Sequence, residues 1–298
     1  YLGVISVHML LAAETPSVLQ KGFERILGRC SGVLTGLILI VFFRERVILC
    51  LLLLTMCKLA FFYVYESGRL SYSGMQAGVF MVVIAGIGLK DPAGAPRAAV
   101  DIIAQILLGV AAAFAVSWLG KIEDRIHIDP SPPPLYPLRL DWLNHSARIT
   151  SGMLATFFVT LYFDLPIIPA MVSAGIIGVA PGQRARLVKG AERTVGALVG
   201  TAYALPALVL IYYVQHFAVL LALVCFGMFL AAYLTRTVTA HSYVFLQMGL
   251  VIPMVLIGSG NVVGSVDTAV ERLLGIWSAM ITTLAVESLW PGEIDVPT

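Results

Sequence analysis

Two glutamate–arginine pairs stand at the edge of long apolar runs in this sequence, where charged side chains are costly and tend to be functional. Glu24 and Arg25 precede the run that ends in LTGLILIVFF, and Glu192 and Arg193 precede a second run of the same kind. A guanidinium group can hold a carboxylate at two points, so each pair could gate a path or meet an anionic substrate. Alternatively, the glutamates favour the positive N-terminal end of a helix and the arginines anchor it at the lipid headgroups. Both interpretations predict a helix that enters a membrane near these residues.

The two pairs belong to an internal repeat of the sequence. The residues Lys21, Gly22, Glu24, Arg25, Gly28 and Gly32 recur with identical spacing as Lys189, Gly190, Glu192, Arg193, Gly196 and Gly200. On a helix these positions share one face, and glycines four residues apart let a second helix approach closely. A second match pairs Ser71, Tyr72, Gln76 and Gly78 with Ser242, Tyr243, Gln247 and Gly249. Gln76 and Gln247 are therefore candidates for substrate contact, with hydrogen bonding between helices as the alternative.

Three further charged residues lie inside apolar runs. Lys58, within LLLLTMCKLAFF, could form an anion site or pair with a carboxylate, or it could extend its ammonium group to the membrane surface. Asp101 and Glu271 occupy matching positions near the start of the last span of each half. Burial raises the pKa of a carboxylate, so either residue could exchange protons and couple transport to a proton gradient. The alternative is that both carboxylates are solvated at an outer vestibule.

The composition predicts an all-α polytopic membrane protein. Hydrophobic residues make up 59% and charged residues 12% of the chain, whereas soluble domains average about 45–50% and about 25%. A transmembrane helix needs about 20 mostly apolar residues. About eleven spans are predicted, of which the first, at 1–13, is cut short; the others lie near 24–43, 46–65, 71–89, 97–119, 148–163, 166–181, 194–213, 216–234, 240–258 and 267–290.

The repeat divides the chain into a first half, residues 1–120, and a second half, residues 148–298. Residues 121–147 are predicted to be a linker, because their charges and prolines cannot form a span. The second half contains one predicted span more than the first, so we expect a missing first helix before Tyr1 and a sequence that lacks its true start. Six spans return a chain to its starting side, which predicts two parallel six-helix repeats related by a pseudo-twofold axis along the membrane normal. A transport path between the halves would follow that axis.

The distribution of basic residues predicts the orientation in the membrane. Only Arg44, Arg46, Lys90 and Arg97 fall in or beside the loops on the side opposite the linker. Because cytoplasmic loops are enriched in lysine and arginine, the linker and the C-terminus are predicted to be cytoplasmic. The sequence shows no phosphate loop, metal-ligand spacing or nucleophile constellation, so we expect no enzymatic activity, no cofactor, no metal and no nucleic acid.

The repeated KGxERxxGxxxG segment, the six-helix halves and the closing AVERLLG resemble the fusaric acid resistance and aromatic acid exporter superfamily. The resemblance implies a bacterial inner-membrane efflux transporter for small organic acids, aromatic acids above all, driven by the proton gradient. It also implies a periplasmic adaptor of the membrane-fusion class as a partner, and a homo-oligomer is left open. Plant malate channels in the superfamily keep a passive anion channel as an alternative. The third hypothesis is an accessory protein of a secretion system that transports nothing.

Overall fold

The computed structural model describes residues 18–66, 71–119, 139–180, 182–257 and 266–290. Within these ranges the chain forms α-helices and one short 3-10 turn, and no strand, so the predicted all-α fold is confirmed for the described residues. The helices are α1 (Val18–Phe43), α2 (Val47–Glu66), α3 (Ser71–Lys90), α4 (Ala95–Leu119), α5 (Leu140–Tyr162), α6 (Ile167–Gly178), α7 (Gly182–Val214), α8 (Phe217–Thr237), α9 (Ser242–Leu256) and α10 (Val266–Leu289). The span predicted at 1–13 and the linker residues 121–138 lie outside the described part.

Eight of these helices are long and apolar enough to cross a membrane, so this is a multi-pass membrane protein. The other two are α5, whose first turns carry Asp141, His145 and Arg148, and α6, which has only 12 residues. Twelve residues rise about 18 Å, whereas the hydrocarbon core of a bilayer is about 30 Å thick. The predicted number of about eleven spans is therefore not confirmed.

Three helices begin earlier than the hydropathy pattern predicts. Helix α1 begins at Val18 instead of residue 24, α5 at Leu140 instead of 148, and α7 at Gly182 instead of 194. Residues 140–147, which were predicted to be linker, are therefore helical. Hydropathy marks only the lipid-embedded part of a helix, so polar residues that continue the helix outward escape it. In α7 these residues include Arg184, Lys189 and Glu192, which are good helix formers. Both copies of the charged motif consequently lie inside helices.

The most extensive helix contacts join α1 to α3 and α7 to α9. A Cβ added at Gly28 would collide with the carbonyl oxygen of Ser73 on α3, and one added at Gly196 would collide with the carbonyl oxygen of Val244 on α9. The same two Cβ atoms would come within 2.8 Å and 2.6 Å of the Cβ atoms of Gln76 and Gln247. The close helix approach predicted at the repeated glycines is confirmed at both positions.

The starts of α1, α3, α5, α7 and α9 lie at one end of the bundle, which we call the motif side. Gly22 near the start of α1 faces Val110 and Phe114 in the second half of α4, and Gly74 at the start of α3 faces Tyr65 at the end of α2. Neighbouring helices along the chain thus run in opposite directions, as membrane-spanning helices with short loops must. The other end of the bundle is the opposite side.

Helices from both halves share the larger apolar core. It contains Phe62 of α2, Met81 of α3 and Phe157 of α5, all of them fully buried. Helix α6 also packs on α3, where a Cβ at Gly175 would collide with the side chain of Val79. The halves therefore meet along α2, α3, α5 and α6, and this interface positions the site described next.

Candidate functional site

A cavity of about 210 Å³ lies between residues of the two halves. Its walls come from α1, α3, α6, α7, α9 and α10, and its cationic lining residues are Arg25, Arg29, Lys189, Arg193 and Arg272. No aspartate or glutamate is among the described lining residues. Like charges that share a poorly hydrated space repel one another, so the arrangement is stabilised when an anion enters.

Arg193 is fixed at the cavity by side chains from two other helices. Its Nε donates to Ser173 Oγ of α6 at 2.9 Å, and its Nη1 donates to Gln247 Oε1 of α9 at 2.9 Å and to Tyr243 Oη at 3.4 Å. The residue is only 2% exposed, so the guanidinium group lies inside the bundle rather than at the lipid surface. This burial agrees with the interpretation in which the motif arginine faces a crevice between the halves.

Arg29 lies one turn beyond Arg25 on α1 and also lines the cavity. Its Nε donates to Gln76 Oε1 at 3.1 Å, and its Cζ lies 4.4 Å from the centroid of the Phe80 ring. The residue is 3% exposed, and among the described residues its Nη1 has no hydrogen-bond partner. A buried guanidinium group with an unused donor that lines a cavity is suited to bind an anion there.

The motif-side end of the cavity combines cations with tyrosine rings. The Cζ atom of Arg25 is 5.9 Å from the ring centroid of Tyr72, and Lys189 Nζ is 5.7 Å from that of Tyr243. The two tyrosines occupy matching positions in the repeat. Such cation–ring contacts hold the charged groups at this end of the cavity.

Arg272 lines the cavity from α10 and contacts the Sδ atom of Met254. The neighbouring Glu271, which sequence analysis selected for proton coupling, is exposed and does not line the cavity. Asp101, its partner in the repeat, is exposed as well. Successive residues on a helix point about 100° apart, so only one of Glu271 and Arg272 can face the interior.

The glutamates of the predicted pairs do not line the cavity. Glu24 is buried and accepts a hydrogen bond from Gln20 Nε2 at 3.2 Å, whereas Glu192 Oε1 lies 3.9 Å from His241 Nδ1. The structure thus separates each predicted pair, with the arginine at the cavity and the glutamate elsewhere.

Lys58 is fully buried on the face of α2 that also carries Leu54 and Phe62. Its Nζ atom has no hydrogen-bond partner among the described residues, and it does not line the cavity. The ammonium group is enclosed by protein instead of extending to the membrane surface. Of the two glutamines selected from the sequence, Gln76 lines the cavity. Gln247 does not line it but accepts a hydrogen bond from Arg193.

Sequence reasoning did not select Arg29, Arg272 or Ser173. Arg29 did carry a signal, because it stands four residues after Arg25 on the same helix face and deeper in an apolar run. Arg272 and Ser173 carried no comparable signal, since their direction depends on how α10 and α6 pack.

Residues 1–116 match the family model described as fusaric acid resistance protein-like, which confirms the resemblance over that part of the chain. No curated protein and no solved structure matches the chain.

Proposed function

Because the first part of the chain is fusaric acid resistance protein-like, we propose that this protein is an efflux transporter that carries small organic anions through the cavity between its halves. The observation that carries the proposal is the cavity lining, with five cationic side chains and no described carboxylate. A solute that carries a negative charge binds beside these cationic side chains more strongly than water does. No catalytic step, cofactor, metal or nucleic acid is part of the proposal.

The remaining lining favours an anion with an apolar body. Phe80, Val172 and Leu250 form part of an otherwise apolar wall beside the arginines. The volume of about 210 Å³ is below the roughly 300–1,000 Å³ typical of drug-sized ligand sites. A one-ring carboxylic acid fits these properties, with its carboxylate near the unused Nη1 of Arg29 and its ring against the apolar wall. Aromatic carboxylic acids are therefore the substrate class that we propose.

The architecture that goes with this function is a pair of parallel six-helix repeats, with residues 1–120 and 148–298 as the halves. The cytoplasmic linker predicted at 121–147 is shorter at its end, because residues 140–147 belong to α5. Two observations support the pair of repeats. The repeated glycines Gly28 and Gly196 make equivalent close contacts with α3 and α9. The matching residues Arg25 and Arg193 line one cavity, as positions near a pseudo-twofold axis should.

The proposed setting is the inner membrane of a bacterium, with the C-terminus in the cytoplasm and the motif side facing the cytoplasm. The bias of basic residues supports this orientation. The proton gradient as energy source and a membrane-fusion-type adaptor as partner rest on the family resemblance alone. Asp101 and Glu271 stay predictions as proton-coupling residues, and Lys58 stays a prediction as a transport residue.

A passive anion channel is the second candidate function. Cations line the cavity from its motif-side end, at Lys189, to Arg272, which lies in the second turn of α10 from the opposite side. A continuous series of cationic side chains could conduct anions down their own gradient. The accessory-protein hypothesis predicts no flux of any kind.

Transport of benzoate by purified protein in liposomes tests the proposal, with Arg29→Gln as the variant. We expect the apparent affinity for benzoate to fall about 10- to 100-fold, because a hydrogen bond to a charged group contributes about 1.5–3 kcal/mol. The control is Arg44→Gln, at an exposed position in the turn after α1, which should leave transport unchanged.

The energy dependence of the flux separates the remaining hypotheses. Flux that requires a proton gradient supports the exporter, and flux down a benzoate gradient without proton dependence supports the channel. Absence of flux in folded protein would contradict both and favour the accessory role. Wild-type affinity in Arg29→Gln at equal expression would contradict the proposed position of the anion.

A further inference from the structure

A second group of ionisable side chains lies on the motif side, outside the cavity lining. We call Glu66, His145, Arg148, Arg186 and Glu287 the ion cluster. His145 Nδ1 lies 2.6 Å from Glu66 Oε1, and His145 Nε2 lies 3.3 Å from Arg186 Nη2. Glu287 pairs with Arg186 and also with Arg148, whose Nη1 is 3.0 Å from its Oε1. The cluster therefore connects α2, α5, α7 and α10.

The charges of the ion cluster balance only while the histidine is neutral. Two arginines face two glutamates, and the side chains of Arg186 and Glu287 are only 1% and 7% exposed. On α5 itself, Asp141 also lies near His145 in the sequence. Its carboxylate is exposed and pairs with Arg139, so it does not offset a charge on His145. An extra proton on the imidazole would add a positive charge that no described group of the cluster offsets.

The hydrogen bonds define which nitrogen is free to take that proton. A guanidinium group only donates hydrogen bonds, so the contact with Arg186 requires a lone pair on His145 Nε2. The ring proton then lies on Nδ1 and is donated to the carboxylate of Glu66. When Nε2 takes up a proton, two donors and two positive charges face each other at the distance of a hydrogen bond, so the direct contact between His145 of α5 and Arg186 of α7 is lost while Arg186 keeps its pair with Glu287 of α10.

Loss of this link acts on the cavity through α7. Arg186, Lys189 and Arg193 follow one another at three- and four-residue intervals and so share one helix face. Lys189 lines the motif-side end of the cavity, and Arg193 lines it one turn further along α7. Without the contact to His145, the first turns of α7 stay attached to α10 through Arg186 and Glu287 but can shift relative to α5, and Lys189 shifts with them.

We propose that His145 is a proton-binding site whose protonation on Nε2 releases the start of α7 from α5 and opens the cavity toward the motif side. The inference rests on the proposed function in assigning an anion path to that cavity. A weak organic acid that dissociates on the motif side supplies both ligands, because its anion enters the cavity and its proton binds His145. Histidine side chains generally change charge between about pH 5 and pH 8, so a histidine can respond to pH changes in the physiological range.

Two measurements that do not depend on transport test this inference. Carbon-13 NMR of labelled histidines follows the protonation of His145, whose signal is the one absent in His145→Gln. Hydrogen–deuterium exchange over residues 182–189 follows the start of α7, with wild type and variant compared at the same pH so that the intrinsic pH dependence of exchange cancels. We expect exchange to become faster in the wild type than in His145→Gln as the pH falls from about 7.5 to about 5.5.

The matched control is His216→Gln, because His216 is exposed, lies before α8 on the opposite side and accepts a hydrogen bond from the backbone of Ala218. This variant should exchange like the wild type at each pH. If His145→Gln does not fold, Glu66→Gln replaces it, and opening should then move to lower pH, because the carboxylate that favours the protonated ring is gone.

Flux measurements connect the site to transport. If one proton controls opening, benzoate flux should change by up to about tenfold per pH unit on the motif side, and His145→Gln should remove that dependence. A His145 that keeps one charge state from about pH 5 to about pH 8 would overturn the proposal. So would identical exchange at the start of α7 in wild type and His145→Gln. Loss of anion binding in the cavity with these responses intact would count against the proposed function alone.

Discussion

Arg193 receives its position from acceptors on two different helices, and this geometry determines how it should respond to substitution. The guanidinium group of Arg193 is planar, and its N–H donors point in several directions. It donates hydrogen bonds to Ser173, Gln247 and Tyr243. A lysine ammonium group is a single compact charge on a flexible stem and cannot reach all three acceptors. An arginine that only anchored a helix end at the lipid surface would tolerate this change.

We therefore expect Arg193→Lys to lower organic-anion transport about tenfold or more at normal membrane insertion, and Arg193→Gln to lower it further. The reason is that buried acceptors left without a donor cost about 1–3 kcal/mol. The control is Arg184→Lys on the same helix, at an exposed position outside the cavity lining. Full efflux by both Arg193 variants at wild-type expression would show that the charge is an anchor.

At the scale of helices, the repeated glycines set how closely α1 approaches α3 and how closely α7 approaches α9. In both pairs the obstacle to a side chain is a backbone carbonyl oxygen, which cannot move without displacing its helix. Arg29 and Gln76 can form their hydrogen bond because α1 and α3 lie this close. The glycines therefore act on the cavity through helix spacing.

Replacing Gly28 or Gly196 with leucine should lower the yield of folded protein and its thermal midpoint, because overpacking a tight contact costs about 1–3 kcal/mol or more. Gly152→Ala is the matched control, since its added Cβ would meet nothing nearer than Thr283 Cγ2 at 3.5 Å. Size-exclusion profiles and unfolding curves measure both effects. Monodisperse Gly28→Leu with unchanged unfolding would refute the packing role.

At the scale of the whole molecule, the proposed direction of transport depends on which side of the membrane holds the motif side. The end of the cavity lined by Arg25 and Lys189 lies there, and so does the ion cluster. Anion capture and proton control would therefore face the same compartment. The positive-inside rule favours the cytoplasm.

Cysteine labelling in intact cells tests this orientation. A maleimide that cannot cross membranes should modify Glu45→Cys, in the turn after α1 on the opposite side, and should modify Gln183→Cys, at the start of α7, only after the membrane is opened. Both positions are exposed in the structure. The reverse pattern would overturn the orientation and turn the proposed exporter into an importer of anions from outside.

The sequence by itself determined the features that depend on composition and on local periodicity. Apolar runs identified a helical membrane protein, because a bilayer accepts only segments that satisfy their own backbone hydrogen bonds. Glycines at helical spacing identified the contact faces of α1 and α7. The repeated motif also pointed to Arg25 and Arg193, which both reach the cavity.

Only the tertiary structure decided which charged side chains share a space. Glu271 and Arg272 are equally polar neighbours in the sequence, and the packing of α10 turned the arginine to the cavity and left the glutamate exposed. His145 meets Glu66, which is 79 residues away in the chain, because α2 and α5 pack side by side. The direction of a side chain around its helix is set by the partners of that helix, and those partners come from distant parts of the chain. Local sequence patterns therefore cannot contain this information.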